Sequence, residues 1–177
     1  MRTRLHIKKL VVSALLVAVG IGLQIAESMI PMPINLPGGK LGLANIVTVI
    51  LLYTFDIKTA FICALMRAFL GSLLYGGVSG MLYSVSGAVF SALIMWAAMR
   101  LGHGALTEIG VSVIGAVSHN AAQVSVACIV LSNVWIYTYL PILGTASCIT
   151  GIFTGYAARF AVKHMRKTGI CEEMNLS

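Results

Sequence analysis

Arg67 sits in the middle of an apolar stretch, FICALMRAFLGSLLY, where packing alone gives no reason for a guanidinium. A charged side chain at the centre of a bilayer costs about 2.5–3.5 kcal/mol on insertion scales, so it must face a cavity, a partner or a ligand. Two readings stand open: an ion pair with Glu27, or direct contact with an anionic or strongly polar ligand. Glu27 could equally pair with Lys40. A second polar group lies in VSHNAAQVSV, where His119 and Gln123 are four residues apart and Asn120 and Gln123 three. That spacing puts all three on roughly one side of a helix. Polar groups buried there are expensive unless they bond to something, so they form either a pocket wall or a satisfied structural cluster. The third feature is PGGKLGLAN, Pro37–Asn45. Glycine- and proline-interrupted backbone is tolerated at membrane depth where it lines a cavity. Lys40 and the free N–H groups of a helix start would suit an anion there; an outer loop with a helix cap is the plainer reading. Asn45, Arg67, His119, Asn120 and Gln123 are expected to converge between the second, third and fifth helices, with Lys40 at the outer rim.

Catalytic chemistry is not legible. Asp56 is the only aspartate, so no paired-aspartate motif can hold magnesium against a diphosphate. No GxxxxGK[ST] stretch occurs, which excludes ATP hydrolysis by a P-loop, and no acid–base pair or nucleophilic triad stands out. Amides bind transition metals weakly and His119 has no second histidine or carboxylate nearby, so no metal site is expected. Cys63, Cys128, Cys148 and Cys171 have no paired spacing and read as small packing residues. No catalytic residue, metal or cofactor is expected.

The elements that must position these residues are membrane helices. Of 177 residues 59% are hydrophobic and 10% charged, and the mean hydropathy is +0.96. A soluble domain carries about 25% charged residues, and a small globule could not hide this much apolar surface. Soluble enzymes, disordered tails and nucleic-acid modules are thereby excluded. A span needs about 20 apolar residues. The pattern predicts an all-α integral membrane protein, one membrane domain over residues 1–177, with six spans at 10–30, 41–55, 59–75, 81–99, 109–131 and 140–162. Residues 76–80 read as a turn. The first run is longer than a signal-peptide core and lacks a cleavage site, so it is expected to be retained. Of the twelve Lys and Arg, ten fall on the side of the termini, Lys40 on the other and Arg67 within a span. Cytoplasmic loops hold the basic excess, which predicts both termini inside and the PGGK loop outside. The net charge of +7 gathers at the chain ends without interleaved aromatics, which argues against nucleic acid.

Small residues recur every fourth position in two spans: Ala14, Ala18, Gly22 and Ala26 in the first, Ser147, Gly151 and Gly155 in the last. Such a face lets another helix approach closely. It could pack inside this bundle or against a separate membrane subunit.

PGGKLGLANIVTVILLY (Pro37–Tyr53), ALMRAFLGSLLYG (Ala64–Gly76) and GVSVIGAVSHNAAQVSVA (Gly110–Ala127) resemble the Gx transporter family, many of whose members are labelled heptaprenyl diphosphate synthase component I. The resemblance runs from about Glu27 to Gly155. That family is similar to the substrate-binding S components of energy-coupling factor (ECF) transporters, six-helix bundles with a pocket near the outer face. The resemblance implies a bacterial inner-membrane subunit that captures a small molecule, polar or anionic, with Lys40, Asn45, Arg67, His119, Asn120 and Gln123 as candidate binding residues. It also implies a membrane coupling subunit and an ATPase pair as partners, docking on Ala14, Ala18 and Gly22. The usual Ala-x-x-x-Ala stands here at Ala14 and Ala18, with Gly22 as an extension. The alternative is a non-catalytic membrane subunit associated with a polyprenyl diphosphate synthase, since the acidic motifs of such an enzyme are missing.

Overall fold

A computed structural model describes residues 2–29, 42–75, 77–102 and 105–168. Among these it contains six α-helices and no strand: α1 Arg2–Ser28, α2 Asn45–Thr54, α3 Ile57–Tyr75, α4 Gly77–Leu101, α5 Glu108–Val130 and α6 Leu140–Lys167. A 3-10 turn, Val134–Tyr139, leads into α6. The protein is an all-α membrane bundle, and five of its described helices are long and apolar enough to cross a bilayer. Their outward faces carry large apolar side chains such as Leu15, Phe69, Phe90, Phe153 and Phe160, an arrangement suited to lipid rather than water.

Several helix boundaries differ from the sequence expectation. The second span shrinks to ten residues. Gly42 adopts a left-handed φ of +81° and the chain turns through Leu43 and Ala44, so α2 begins only at Asn45; Leu41 lies outside the described residues. Residues 77–80, expected in a turn, already belong to α4, which opens on Gly77 in the left-handed region (φ +61°) that glycine adopts without strain. At the chain ends α1 and α6 extend through their basic flanks, where Lys and Arg are good helix formers.

Short as it is, α2 lies within a segment, residues 42–56, that is tied to α1 at both ends. At its start the Glu27 carboxylate accepts Gly42 N–H at 2.7 Å and Leu43 N–H at 3.2 Å. At its end Lys9 pairs with Asp56, and the Lys9 ammonium stands over the Phe55 ring. Segment 42–56 therefore lies antiparallel to α1 between Glu27 and Lys9, a distance of about 27 Å at ~1.5 Å rise per residue. Asp56 also caps α3 by accepting from the Thr59 N–H at 3.2 Å and the Thr59 hydroxyl at 2.7 Å. Burial works against the charged form of its carboxyl, but the Lys9 and Thr59 bonds prevail and bring its pKa to about 2. Tyr53 Oη donates to Leu106 O, and Arg166 donates to Tyr53 O. These contacts gather the start of α1, the α2–α3 corner, the approach to α5 and the end of α6 at one basic end.

Eight of the ten α2 residues are buried, so α2 is the inner helix around which the others close. Its Val47, Ile50 and Leu51 pack with Val17, Met95, Val111 and Val162. Helix α5 packs most extensively on α6 and α4. The α6 stripe belongs to this packing: a Cβ at Gly151 would stand 2.7 Å from Val113 Cα, and one at Gly155 2.6 Å from Ile109 Cα. Between them the buried Ser112 and Thr154 hydroxyls bond across α5 and α6 at 2.9 Å. The α1 stripe has the opposite fate. Ala14, Ala18, Gly22 and Ala26 are exposed, and a Cβ at Gly22 would meet nothing within 4 Å.

Candidate functional site

A ring of polar side chains is buried where α1 to α5 meet. Arg67, 3% exposed, lies near the middle of α3 with its stem against Gly20 of α1, where a Cβ would stand 2.5 Å from Arg67 Cδ. Its Nη1 donates to Gln24 Oε1 at 3.3 Å, and its Nη2 to Asn45 Oδ1 at a long 3.5 Å. Gln24 Nε2 continues the chain to Ser84 Oγ on α4 at 3.3 Å. One turn on, Gly87 faces α5: a Cβ there would stand 2.8 Å from the His119 ring and 2.9 Å from Gln123 Cγ. Helix α5 closes the ring at its other end, since the Cβ position of Gly42 lies between Asn45 Nδ2 and Ala116. Ala116, His119 and Gln123 share one face of α5 by their spacing of three and four. Gly71 makes room in the same way, its Cβ position 2.8 Å from the Gln24 amide. Glycines on three helices thus let large polar side chains fit at the centre of the bundle.

The ring is sealed. Gln24, Glu27, Asn45, Arg67, His119, Asn120 and Gln123 are each no more than 6% exposed. The described grooves of about 730 Å³ between α1 and α3, and about 670 Å³ between α3 and α4, are apolar and lie on the outer surface. They do not reach the ring, so the polar chemistry is in the interior.

Of the sequence-predicted residues, the structure brings Asn45 and Arg67 into direct contact and places His119 and Gln123 against α4. Asn120 points elsewhere, with its Nδ2 donating to Ser147 Oγ of α6 at 2.6 Å. The expected meeting of helices two, three and five therefore holds for part of the group, and α1 and α4 join it. Lys40 lies outside the described residues. The open choice for Arg67 resolves toward amides: Gln24 and Asn45 take its hydrogen bonds, while Glu27 receives the N–H groups of Gly42 and Leu43 and acts on the guanidinium at longer range. Sequence reasoning missed Gln24, Ser84 and Thr48. Gln24 carried a usable signal, being an amide inside the first apolar run three residues before Glu27.

Many polar atoms in and around this ring have no hydrogen-bond partner among the described residues. They are Asn45 Nδ2, Thr48 Oγ1, Arg67 Nε, Asn120 Oδ1, and both amide atoms of Gln123. An unpaired buried polar group costs about 1–3 kcal/mol, and native proteins keep few of them. Such a concentration at membrane depth is a standing demand for hydrogen bonds that the described residues do not meet. The described residues hold no cluster of metal-ligating side chains, so a cation is a poor answer to it.

No curated protein and no solved structure matches the chain. A family model does match, over residues 16–161, a range that contains every member of the polar ring and all but the start of the α1 stripe. The chain belongs to the family described as heptaprenyl diphosphate synthase component I.

Proposed function

We propose that this chain is the substrate-binding membrane subunit of an uptake system of the energy-coupling factor kind, taking up a small polar molecule. The observation that carries this reading is the set of buried polar atoms with no hydrogen-bond partner among the described residues, which a bound solute would complete. Asn45, Arg67 and Gln123 contact the solute, His119 shapes the wall, Asn120 braces that wall from the α6 side through Ser147, and Lys40 guards the outer rim. Entry is from the outer end of the bundle, where Glu27 holds Gly42 and Leu43. No catalytic group is assigned to the chain.

The exposed face of Ala14, Ala18 and Gly22 docks the coupling subunit, which brings an ATPase pair. Its outward aspect and the groove between α1 and α3 favour a helix as the occupant. Close approach is what such a face provides, and added bulk prevents it. Ala14→Leu or Ala18→Leu is expected to abolish complex formation while leaving folding and solute affinity unchanged. Loss of stability in the isolated variant, measured by thermal unfolding, would place the face inside this protein's own packing instead.

The protein lies in the bacterial inner membrane with both termini cytoplasmic. The gathering of Lys9, Arg166 and the α2–α3 corner at one end supports that orientation. An impermeant thiol reagent applied outside should label a cysteine placed at Asn35 in a cysteine-free background, and spare one at Lys167. The reverse pattern would invert the topology.

A second reading is favoured by the family's description: a non-catalytic membrane subunit of a prenyl diphosphate synthase. Affinity isolation from native membranes separates the two. Co-isolation of an ATP-binding-cassette ATPase pair, lost in Ala18→Leu, supports the uptake reading. Co-isolation of a prenyl diphosphate synthase whose activity rises in the complex supports the second.

A further inference from the structure

We infer that the basic end of the bundle holds an anionic phospholipid, with its phosphate in a groove between the start of α5 and the end of α6 and its chains laid along α6. This site is separate from the polar ring and stands apart from the uptake reading.

The groove, of about 450 Å³, is lined by Glu108, Arg159, Val162, Lys163, Arg166 and Lys167. Four cations against one carboxylate leave a net +3 there. Arg166 uses one Nη on the Tyr53 carbonyl at 3.4 Å. Arg159, Lys163 and Lys167 are exposed and make no hydrogen bond or ion pair with another described residue, Glu108 included. Arg159 and Lys163 stand four residues apart, as do Lys163 and Lys167. Like charges at that spacing destabilise a helix, and an anion in the groove relieves them.

Two ordinary roles account for only part of this cluster. Cations favour a helix C-terminus, but the effect fades beyond the last turn, and Arg159 lies two turns before Lys167. A basic excess also orients a membrane protein, but it does so wherever the residues stand around the helix. Neither role gathers four cations around one groove.

The surface leading into the groove marks the ligand as a lipid. Phe153, Tyr156 and Phe160 are exposed. With Lys163 and Lys167 they follow a spacing of three, four, three and four, so rings and ammonium groups form one stripe along α6. Arg159 and Arg166 flank that stripe on the side of the buried Val162. A free phosphate would use the cations alone. A phospholipid uses both parts: its chains lie on the rings, and its phosphate oxygens accept from the ammonium and guanidinium donors. Lysine stems pack on such chains while their charge stays at the headgroup. Basic pockets between membrane helices are where anionic headgroups seat.

The test uses the purified full chain in discs of phosphatidylcholine bilayer containing a minor fraction of phosphatidylglycerol, with retained lipid counted by native mass spectrometry. Arg159→Gln/Lys163→Gln removes two cations that hold no other described residue, so without anionic lipid it should melt no lower than the parent. Lys58→Gln/Arg100→Gln removes two from the same end of the bundle, outside the groove. The parent is expected to retain phosphatidylglycerol saturably and in preference to phosphatidylcholine. Affinity should fall about thirtyfold in the first pair, rise in Glu108→Gln and stay nearly unchanged in the second pair. Equal loss in both pairs, or no gain in Glu108→Gln, would reduce the effect to diffuse surface charge and overturn the site. Equal retention of phosphatidylcholine overturns the anionic headgroup. Displacement of the lipid by glycerol phosphate or inorganic diphosphate at comparable concentration would make this a site for free phosphate and overturn the lipid.

Discussion

Gln123→Met is expected to raise the unfolding temperature of the unliganded protein and to abolish its response to solute. Methionine keeps the length of the side chain and its contact with Gly87, and removes two polar atoms that have no partner among the described residues. Replacing an unsatisfied buried amide by an apolar group of similar shape relieves a penalty of about 1–3 kcal/mol. In a chain of this size each kcal/mol moves the midpoint by about 2–4 °C, so a rise of several degrees is within reach of a detergent melt. The opposite changes in stability and binding identify the role, because a structural glutamine loses stability on the same substitution. A lower midpoint in Gln123→Met would show that Gln123 holds the bundle together.

Arg67→Ala is expected to do the reverse for stability and the same for binding. Removing the guanidinium orphans Gln24 Oε1 and Asn45 Oδ1 and empties the space its stem fills beside Gly20. Two orphaned acceptors and a cavity together amount to about 3 kcal/mol or more. Arg67→Lys separates charge from geometry. It keeps the cation and loses the planar fork that reaches two helices at once, so its stability should fall between the other two. Denaturant unfolding of the three proteins gives the order directly; equal stability of Arg67→Ala and the parent would remove Arg67 from the ring.

Hydropathy and basic residues made the bundle legible, because apolar length and flank charge are properties of each segment alone. What stands opposite a residue, and the backbone conformation of a single glycine, are not legible in that way. The stripes on α1 and α6 have the same spacing, yet Gly155 is pressed against the Ile109 backbone and Gly22 faces open space. Spacing defines a face and says nothing of what covers it. Asn120 and Gln123 were grouped because residues three apart share a side of a helix. Asn120 instead turns to Ser147 of α6, since two neighbouring helices divide that side between them. The length of α2 was misread because Leu41–Ala44 is apolar enough to extend it, while the left-handed Gly42 is a backbone property that hydropathy does not carry. Arg67 was recognisable from its cost alone, but its partner was not. A single carboxylate in the first span drew attention from the amide one turn before it.

The central claim is that the polar ring exists to bind a solute. The most direct test is to isolate the wild-type protein and Gln123→Met gently from the same native membranes and compare the small molecules each releases on denaturation. A single small molecule, released in near-stoichiometric amount by the wild type and missing from Gln123→Met despite its equal or greater stability, is the predicted result. Identical small-molecule profiles from the two proteins would contradict it, and would return the ring to the interior architecture of the bundle.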